Sequence, residues 1–323
     1  MNESPLLVLT APGDNDVSLI AELRQMATII VGDSAEAFGK AVADAEIILH
    51  WSSSLALLRD VFLVSQRVRW VHSRSAGLEQ TLFPELIASK VIVTNGSGVF
   101  SPSLGEFALA AILYFAKDFR HMIRNQMAGV WEQFDVTMIS GKTLGIVGYG
   151  SIGRAVAARA RALEMNVLAL KRSAANPPKK DPMIDHLYGS AQLSEMLSRC
   201  DYIVVTVPLT EQTRGLIAET EFAVMKKDAV IINLGRGPTI DERAMIKALS
   251  ENQIRGAALD VFDQEPLPKG HPFYSLENVL LSPHCGDHTP DWLDNAMRFF
   301  LAQLGRFRRG ETLLNIVDKT LGY

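Results

Sequence analysis

Short runs of apolar, mostly β-branched residues recur along the chain and alternate with segments whose apolar positions repeat at helical spacing. In the first third the runs are Leu6–Leu9, Thr28–Val31, Glu46–Leu49, Val68–Val71 and Val91–Thr94, separated by helical patterns such as 17–26 (Val17, Ile20, Ala21 and Leu23 on one face) and 35–45. Strands this continuously apolar need cover on both faces, so the alternation predicts βαβ crossovers and a parallel sheet. Beyond Pro102 a long helical pattern runs from about Ser103 to Met127, opening on the capping-box spacing Ser103 to Glu106. The rhythm then restarts, with strands over Thr143–Val147, Asn166–Leu170, Tyr202–Val207, Ala229–Asn233, Gly256–Asp260 and Val279–Leu281, and helices over Ile152–Leu163, Glu221–Met225 and Glu242–Leu249. Prolines make 176–182 a loop. A last helix, about Asp291 to Arg308, leaves too few residues for a further domain and is expected to return to the first unit. The pattern predicts an α/β chain of two doubly wound parallel-sheet domains, 102–290 inserted into a domain made of 1–101 and 291–323. Small molecules are expected in a cleft at the strand ends.

Composition narrows the partners. With 323 residues and only two cysteines, Cys200 and Cys285, neither a disulfide framework nor a multi-cysteine zinc site can be built, and a cytoplasmic setting is expected. A net charge of -4 offers no basic field for nucleic acid. The N-terminus lacks the positive start of a signal peptide, and the most apolar helical stretch, 107–116, is too short for a bilayer. Small molecules are the expected partners, with no metal.

One turn carries a specific chemistry. Gly148-Tyr149-Gly150-Ser151-Ile152-Gly153 follows the strand ending at Val147 and opens an Ala-rich helix. In that context Gly148 permits the tight turn, Gly150 lets backbone approach a pyrophosphate, Gly153 lets helix and strand pack, and the amides from Ser151 and Ile152 onward face the anion. Where an NAD site usually has an acid after the second strand, this chain has Lys171, Arg172 and Ser173, a charge, a planar fork and a hydroxyl suited to a 2′-phosphate. NADPH is the expected cofactor, with NAD as the alternative; a solvated basic turn is the bland reading of the same residues.

Three polar clusters follow later strands: Asn233-Leu234-Gly235-Arg236-Gly237, Asp260 through Glu265-Pro266, and Ser282-Pro283-His284-Cys285-Gly286. With the glycine turn, this ordered Arg, Glu and His set resembles the D-isomer-specific 2-hydroxyacid dehydrogenase family, and the Arg172-Ser173 turn its NADPH-preferring glyoxylate/hydroxypyruvate reductase branch. The resemblance covers nearly the whole chain and implies a Rossmann-type cofactor domain inserted into a flavodoxin-like substrate domain. Reducing a 2-keto acid needs a hydride donor, a proton donor and positive charge for the carboxylate. His284 is the expected proton donor, Glu265 the group that favours its imidazolium and orients the ring, and Arg236 the fork for carboxylate and keto oxygen.

The remaining assignments follow the same resemblance. Ala76-Gly77, flanked by Ser75, matches the carboxylate-binding loop, whose amides can form an anion nest. Val207 and Pro208 match the adenosine lining, Asp260 the acid near the nicotinamide carboxamide, and Leu234, Gly235 and Gly286 backbone contacts with the cofactor. For Arg74 a second carboxylate contact and an exposed turn stay open; His72 reads as structural. Trp131 matches an arm near the family's subunit interface, with core packing as the alternative, and a homodimer is expected. Cys285 beside His284 is not read as a nucleophile, because neighbouring side chains point apart. Asp287-His288 departs from the family's usual small residue. Two other readings are kept: an NAD-dependent member acting on another 2-hydroxy acid, and a dinucleotide-binding corepressor-like scaffold, which would call for disordered recruiting tails.

Overall fold

The computed structural model describes residues 4–12, 17–172 and 181–323, and the chain divides into two compact units, 1–100 with 289–323 and 101–288. In unit 1, β1 (Leu6–Leu9), α1 (Ile20–Met26), β2 (Ile29–Gly32), β3 (Ile47–His50), α2 (Leu55–Val64), β4 (Trp70–Ser73), α3 (Pro84–Ala88) and β5 (Ile92–Thr94) follow in turn. The strands form a parallel sheet in the order β2-β1-β3-β4-β5, the flavodoxin-like arrangement. The three central strands β1, β3 and β4 are fully buried, as a sheet covered on both faces requires.

In unit 2, α4 (Ser101–Ala116), α5 (Phe119–Ala128), β6 (Thr143–Val147), α6 (Ser151–Ala162), β7 (Asn166–Leu170), β8 (His186–Tyr188), α7 (Leu193–Leu197), β9 (Tyr202–Val205), α8 (Glu219–Val224), β10 (Val230–Asn233), α9 (Glu242–Ser250), β11 (Gly256–Leu259) and β12 (Val279–Leu281) build the second sheet and its cover. The sheet order, β12-β11-β10-β9-β6-β7-β8, is all parallel and reverses direction between β6 and β9, the Rossmann arrangement and its switch point. The chain then returns to unit 1 as α10 (Trp292–Arg308). Phe300 and Phe307 of α10 stack on Trp70 at 5.3 and 5.2 Å. Val317 N–H donates to the Val93 carbonyl, and Lys319 Nζ donates to the carbonyls of Leu86, Ser89 and Val91. Among the described residues no helix is long and apolar enough to cross a membrane.

The structure corrects several sequence expectations. The helical pattern from Ser103 to Met127 is two helices, because Asp118 takes a left-handed conformation (φ 50°) and its carboxylate caps α5 through His121 N–H at 3.3 Å. Ser103 and Glu106 do not open α4, which begins at Ser101; the Ser103 hydroxyl instead donates to the Gly286 carbonyl at 2.7 Å. Residues 36–43 are 3₁₀ rather than α-helical, broken at Gly39. Trp131 does not pack in a core, since it is 95% exposed.

Two buried histidines set an acid limit on unit 1. His72 Nδ1 lies 2.7 Å from Thr94 Oγ1, a hydroxyl that also accepts from Trp70 Nε1. Burial lowers His72 to about 3; burial, joined by the Arg74 charge, lowers His50 to about 4. The unfolded chain binds protons on both near pH 6.5 while the folded protein does not, so stability is complete above that pH and is lost as pH falls toward 4. Each tenfold difference in proton affinity between the folded and unfolded chain is worth about 1.4 kcal/mol, which puts the loss at roughly a few kcal/mol. Thermal unfolding between pH 7 and 4.5 should show a falling Tm, with a shallower slope in a His50→Gln/His72→Gln variant.

Candidate active site

The glycine turn joins β6 to α6 at the switch point of the second sheet. Gly148 has φ 107°, and a Cβ there would lie 2.8 Å from the Val207 amide nitrogen. A Cβ on Gly153 would meet the Gly148 carbonyl oxygen at 2.6 Å. Around Gly150 a Cβ would meet nothing within 4 Å, and the helix it caps has no side-chain cap. Two glycines therefore close the turn and the third keeps open ground before the helix N-terminus, exposed Ser151 and half-buried Ile152 leading the first turn. That shape fits a dinucleotide pyrophosphate.

The motif alone does not reveal the work of the residue inside this turn. Tyr149 is buried and its hydroxyl donates to Asp181 at 3.0 Å; burial, then Asp181, pushes it up to about 12. Arg154 pairs with the same carboxylate at 2.7 Å and lies over the Tyr149 ring. An aromatic between two glycines is the signal the sequence offers. Beyond β7, Lys171 and Arg172 are exposed, and Arg172 Nη1 donates to Gln212 Oε1 at 3.5 Å; Ser173 lies outside the described residues.

Two of the three later loops are held by buried polar side chains at the strand ends. Asn233 accepts from Gly235 N–H at 3.0 Å and donates to the Arg236 carbonyl at 3.1 Å, fixing the Arg236 loop from beneath. Leu234 N–H donates to the Val205 carbonyl, and a Cβ on Gly235 would lie 2.7 Å from the Val207 carbonyl oxygen, so Gly148, Val207 and Gly235 meet at one place. Pro208, next in line, is exposed. Arg236 itself is half-buried and its Nη1 donates to the Gly235 carbonyl at 2.8 Å.

Asp260, 2% exposed, does the same for the last loop. Its carboxylate accepts from Ser282 Oγ at 2.6 Å and from the amides of Cys285 and Gly286 at 3.0 and 3.1 Å. Both backbone groups of Gly286 are thus engaged, the amide by Asp260 and the carbonyl by Ser103. Turned by this anchoring, His284 sits at φ 53°, and its Nδ1 meets Glu265 Oε2 at 2.7 Å. The other Glu265 oxygen accepts from Phe262 N–H at 2.9 Å, which fixes the carboxylate; the Glu265–Pro266 peptide is cis. Asp287 is largely buried, and that burial raises its carboxyl pKa against the opposing charges of His288 and His284.

In unit 1, Ser75, Ala76 and Gly77 form the loop after β4. Their chain is pulled inward at its carbonyls: Ser75 accepts from Gly96 N–H at 3.1 Å and Ala76 from Asn95 Nδ2 at 2.7 Å. The three amides have no acceptor among the described residues. Asn95, like Asn233, is invisible to motif reasoning because its partner is chosen in three dimensions.

Residues 109–286 match the model for the D-isomer specific 2-hydroxyacid dehydrogenase NAD binding domain. The chain belongs to the D-isomer specific 2-hydroxyacid dehydrogenase family. It is 31% identical over 302 residues to glyoxylate/hydroxypyruvate reductase B of an Enterobacter species, 90% of each chain being covered. To the D-3-phosphoglycerate dehydrogenase of Methanocaldococcus jannaschii it is 30% identical over 97% of its own length, but it spans 59% of that protein. A D-isomer specific 2-hydroxyacid dehydrogenase from Xanthobacter autotrophicus, solved with NADPH and MES, superposes with a TM-score of 0.84 at 27% identity, covering 99% of this chain and 100% of that one. Its family makes this chain an NAD(P)-dependent oxidoreductase of the 2-hydroxyacid dehydrogenase type.

The glycines separate fold from ligand. Gly153→Ala should lower Tm by several degrees, because its Cβ strikes backbone. Gly150→Ala should leave stability within about 0.5 kcal/mol of the wild type while weakening dinucleotide affinity at least tenfold, measured by fluorescence titration.

Proposed function

We propose that the protein reduces small 2-keto acids of the glyoxylate and hydroxypyruvate type to D-2-hydroxy acids with NADPH. The contact between His284 Nδ1 and Glu265 carries this reading, since a carboxylate on one ring nitrogen fixes the ring and leaves Nε2 as the nitrogen that faces a substrate. When bound, the nicotinamide supplies the hydride. Gly148, Gly150, Ser151, Ile152 and Gly153 would hold the pyrophosphate; Val207, Pro208, Leu234 and Gly235 would line the rest of the cofactor, and Asp260 and Gly286 would bound it through the loop they anchor. Lys171, Arg172 and Ser173 would take the 2′-phosphate, a preference supported by the NADPH in the Xanthobacter relative and by the absence of an acid among these three residues.

The protein's own groups divide the work. The amides of Ser75, Ala76 and Gly77 and the Arg236 guanidinium neutralise the carboxylate, and Arg236 also polarises the keto oxygen. His284 gives its Nε2 proton to that oxygen as the alcohol forms, and Glu265 steadies the ring before and after transfer. Two free thiols, Cys200 buried and Cys285 exposed, suit a reducing, cytoplasmic setting.

NADPH absorbance followed with a 2-keto acid panel tests the reading. NADPH should exceed NADH in kcat/KM, Arg172→Ala should cost NADPH roughly tenfold and NADH little, and His284→Ala should remove turnover while retaining NADPH binding. Faster turnover with NADH, or an active His284→Ala enzyme, would overturn it.

We also propose a homodimer. The stretch from α5 to β6 leaves Ile123, Met127, Val130, Trp131, Val136 and Met138 exposed, apolar side chains that a second copy would cover. Light scattering should give twice the chain mass, and Trp131→Glu with Met127→Glu should give monomers.

A further inference from the structure

The carboxyl edge of the unit 1 sheet carries a cation that the reaction above does not use. Arg74 follows β4, its amide donating to the His50 carbonyl at 3.2 Å. The guanidinium carbon lies 5.1 Å from the ring centroid of buried Trp51 and 5.2 Å from that of Trp292 at the start of α10. Attraction between a cation and an indole strengthens as water is withdrawn, and Arg74 is half-buried. Two rings also remove much of the side chain's rotamer freedom before a ligand arrives. A guanidinium packed against rings recognises through its in-plane N–H fork, whose spacing matches a carboxylate.

The surroundings point to an anion. Arg74 immediately precedes the Ser75–Gly77 amides, whose carbonyls are tied down by Gly96 and Asn95. Beside it, Nε1 of Trp51 is buried without a hydrogen-bond partner among the described residues. His50 stays neutral near pH 7, so it adds polarity to this edge without charge. Glyoxylate presents a single carboxylate, whereas the nest and Arg74 are two anion-recognising elements in adjacent residues.

We propose that Arg74 is a specificity-determining residue that binds a second carboxylate, so that 2-keto dicarboxylic acids, of the oxaloacetate and 2-oxoglutarate class, are preferred over glyoxylate. The inference rests on the 2-keto acid reductase reading of the chain. Initial rates with NADPH would be compared for glyoxylate, oxaloacetate and 2-oxoglutarate in the wild type, Arg74→Lys and Arg74→Met. Wild-type kcat/KM should be higher for a dicarboxylate; Arg74→Met should lower it roughly 10- to 100-fold, mostly through KM, with under about threefold change on glyoxylate, and Arg74→Lys should recover part. Equal losses on all substrates would mean that Arg74 only holds Trp292 and would overturn the proposal, as would a wild type that reduces glyoxylate but neither dicarboxylate. A wild type inert toward every 2-keto acid would instead sink the reductase reading and the proposal with it. Should Arg74→Met fail to fold, D-malate and glycolate can be compared on the wild-type protein with bound NADP: a larger rise in Tm with D-malate is expected, and an equal rise counts against a second carboxylate site.

Discussion

The buried carboxylate of Asp260 is the constraint on which the His284 loop depends. It stands at the end of β11 and gathers the Ser282 hydroxyl and the amides of Cys285 and Gly286, all from the chain leaving β12. Hydrogen bonds to a charged group are each worth about 1.5–3 kcal/mol, and an unpartnered carboxylate at this depth would cost far more. The loop cannot relax away without exposing that cost. His284 is therefore held in a left-handed conformation that a β-extended chain would not give it, and the imidazole is turned onto Glu265. The same device recurs with neutral amides: Asn233 pins the Arg236 loop and Asn95 pins Ser75–Gly77. The Ser75–Gly77, Arg236 and His284 segments are each tied by one buried polar side chain at a strand end.

How much of this is legible in the sequence depends on whether the cause is local. The strands Thr143–Val147, Asn166–Leu170 and Val279–Leu281 have the bounds their apolar runs suggest. The three-residue β8 escapes such a reading, because His186-Leu187-Tyr188 is too short to show a period and follows a proline-rich stretch of sequence. The break at Asp118 escapes it because apolar spacing continues across it and only the backbone changes hand.

For the site, the order of Arg236, Glu265 and His284 at successive strand ends is enough to suggest the chemistry, since parallel sheets bring such ends to one edge. The supporting set is not legible in the same way. Asn95, Asn233 and Ser282 are ordinary residues whose meaning lies in partners chosen by the fold. Asp260 reads in the sequence as a cofactor residue, and its visible work is to hold the His284 loop. The glycines fall between these cases: their spacing names the turn, while the close approach of the chain leaving β9 explains why Gly148 tolerates no side chain.

The division of unit 1 into two chain segments bears on how the protein is made. Unit 2 is one continuous stretch, so it can complete its core while the ribosome is still at work. Unit 1 cannot: Trp70 waits for Phe300 and Phe307, and the carbonyls around α3 wait for Lys319. Until Phe300 and Phe307 emerge, Trp70 lacks the rings that cover it. Of the two units, the one begun earlier is thus the one finished later.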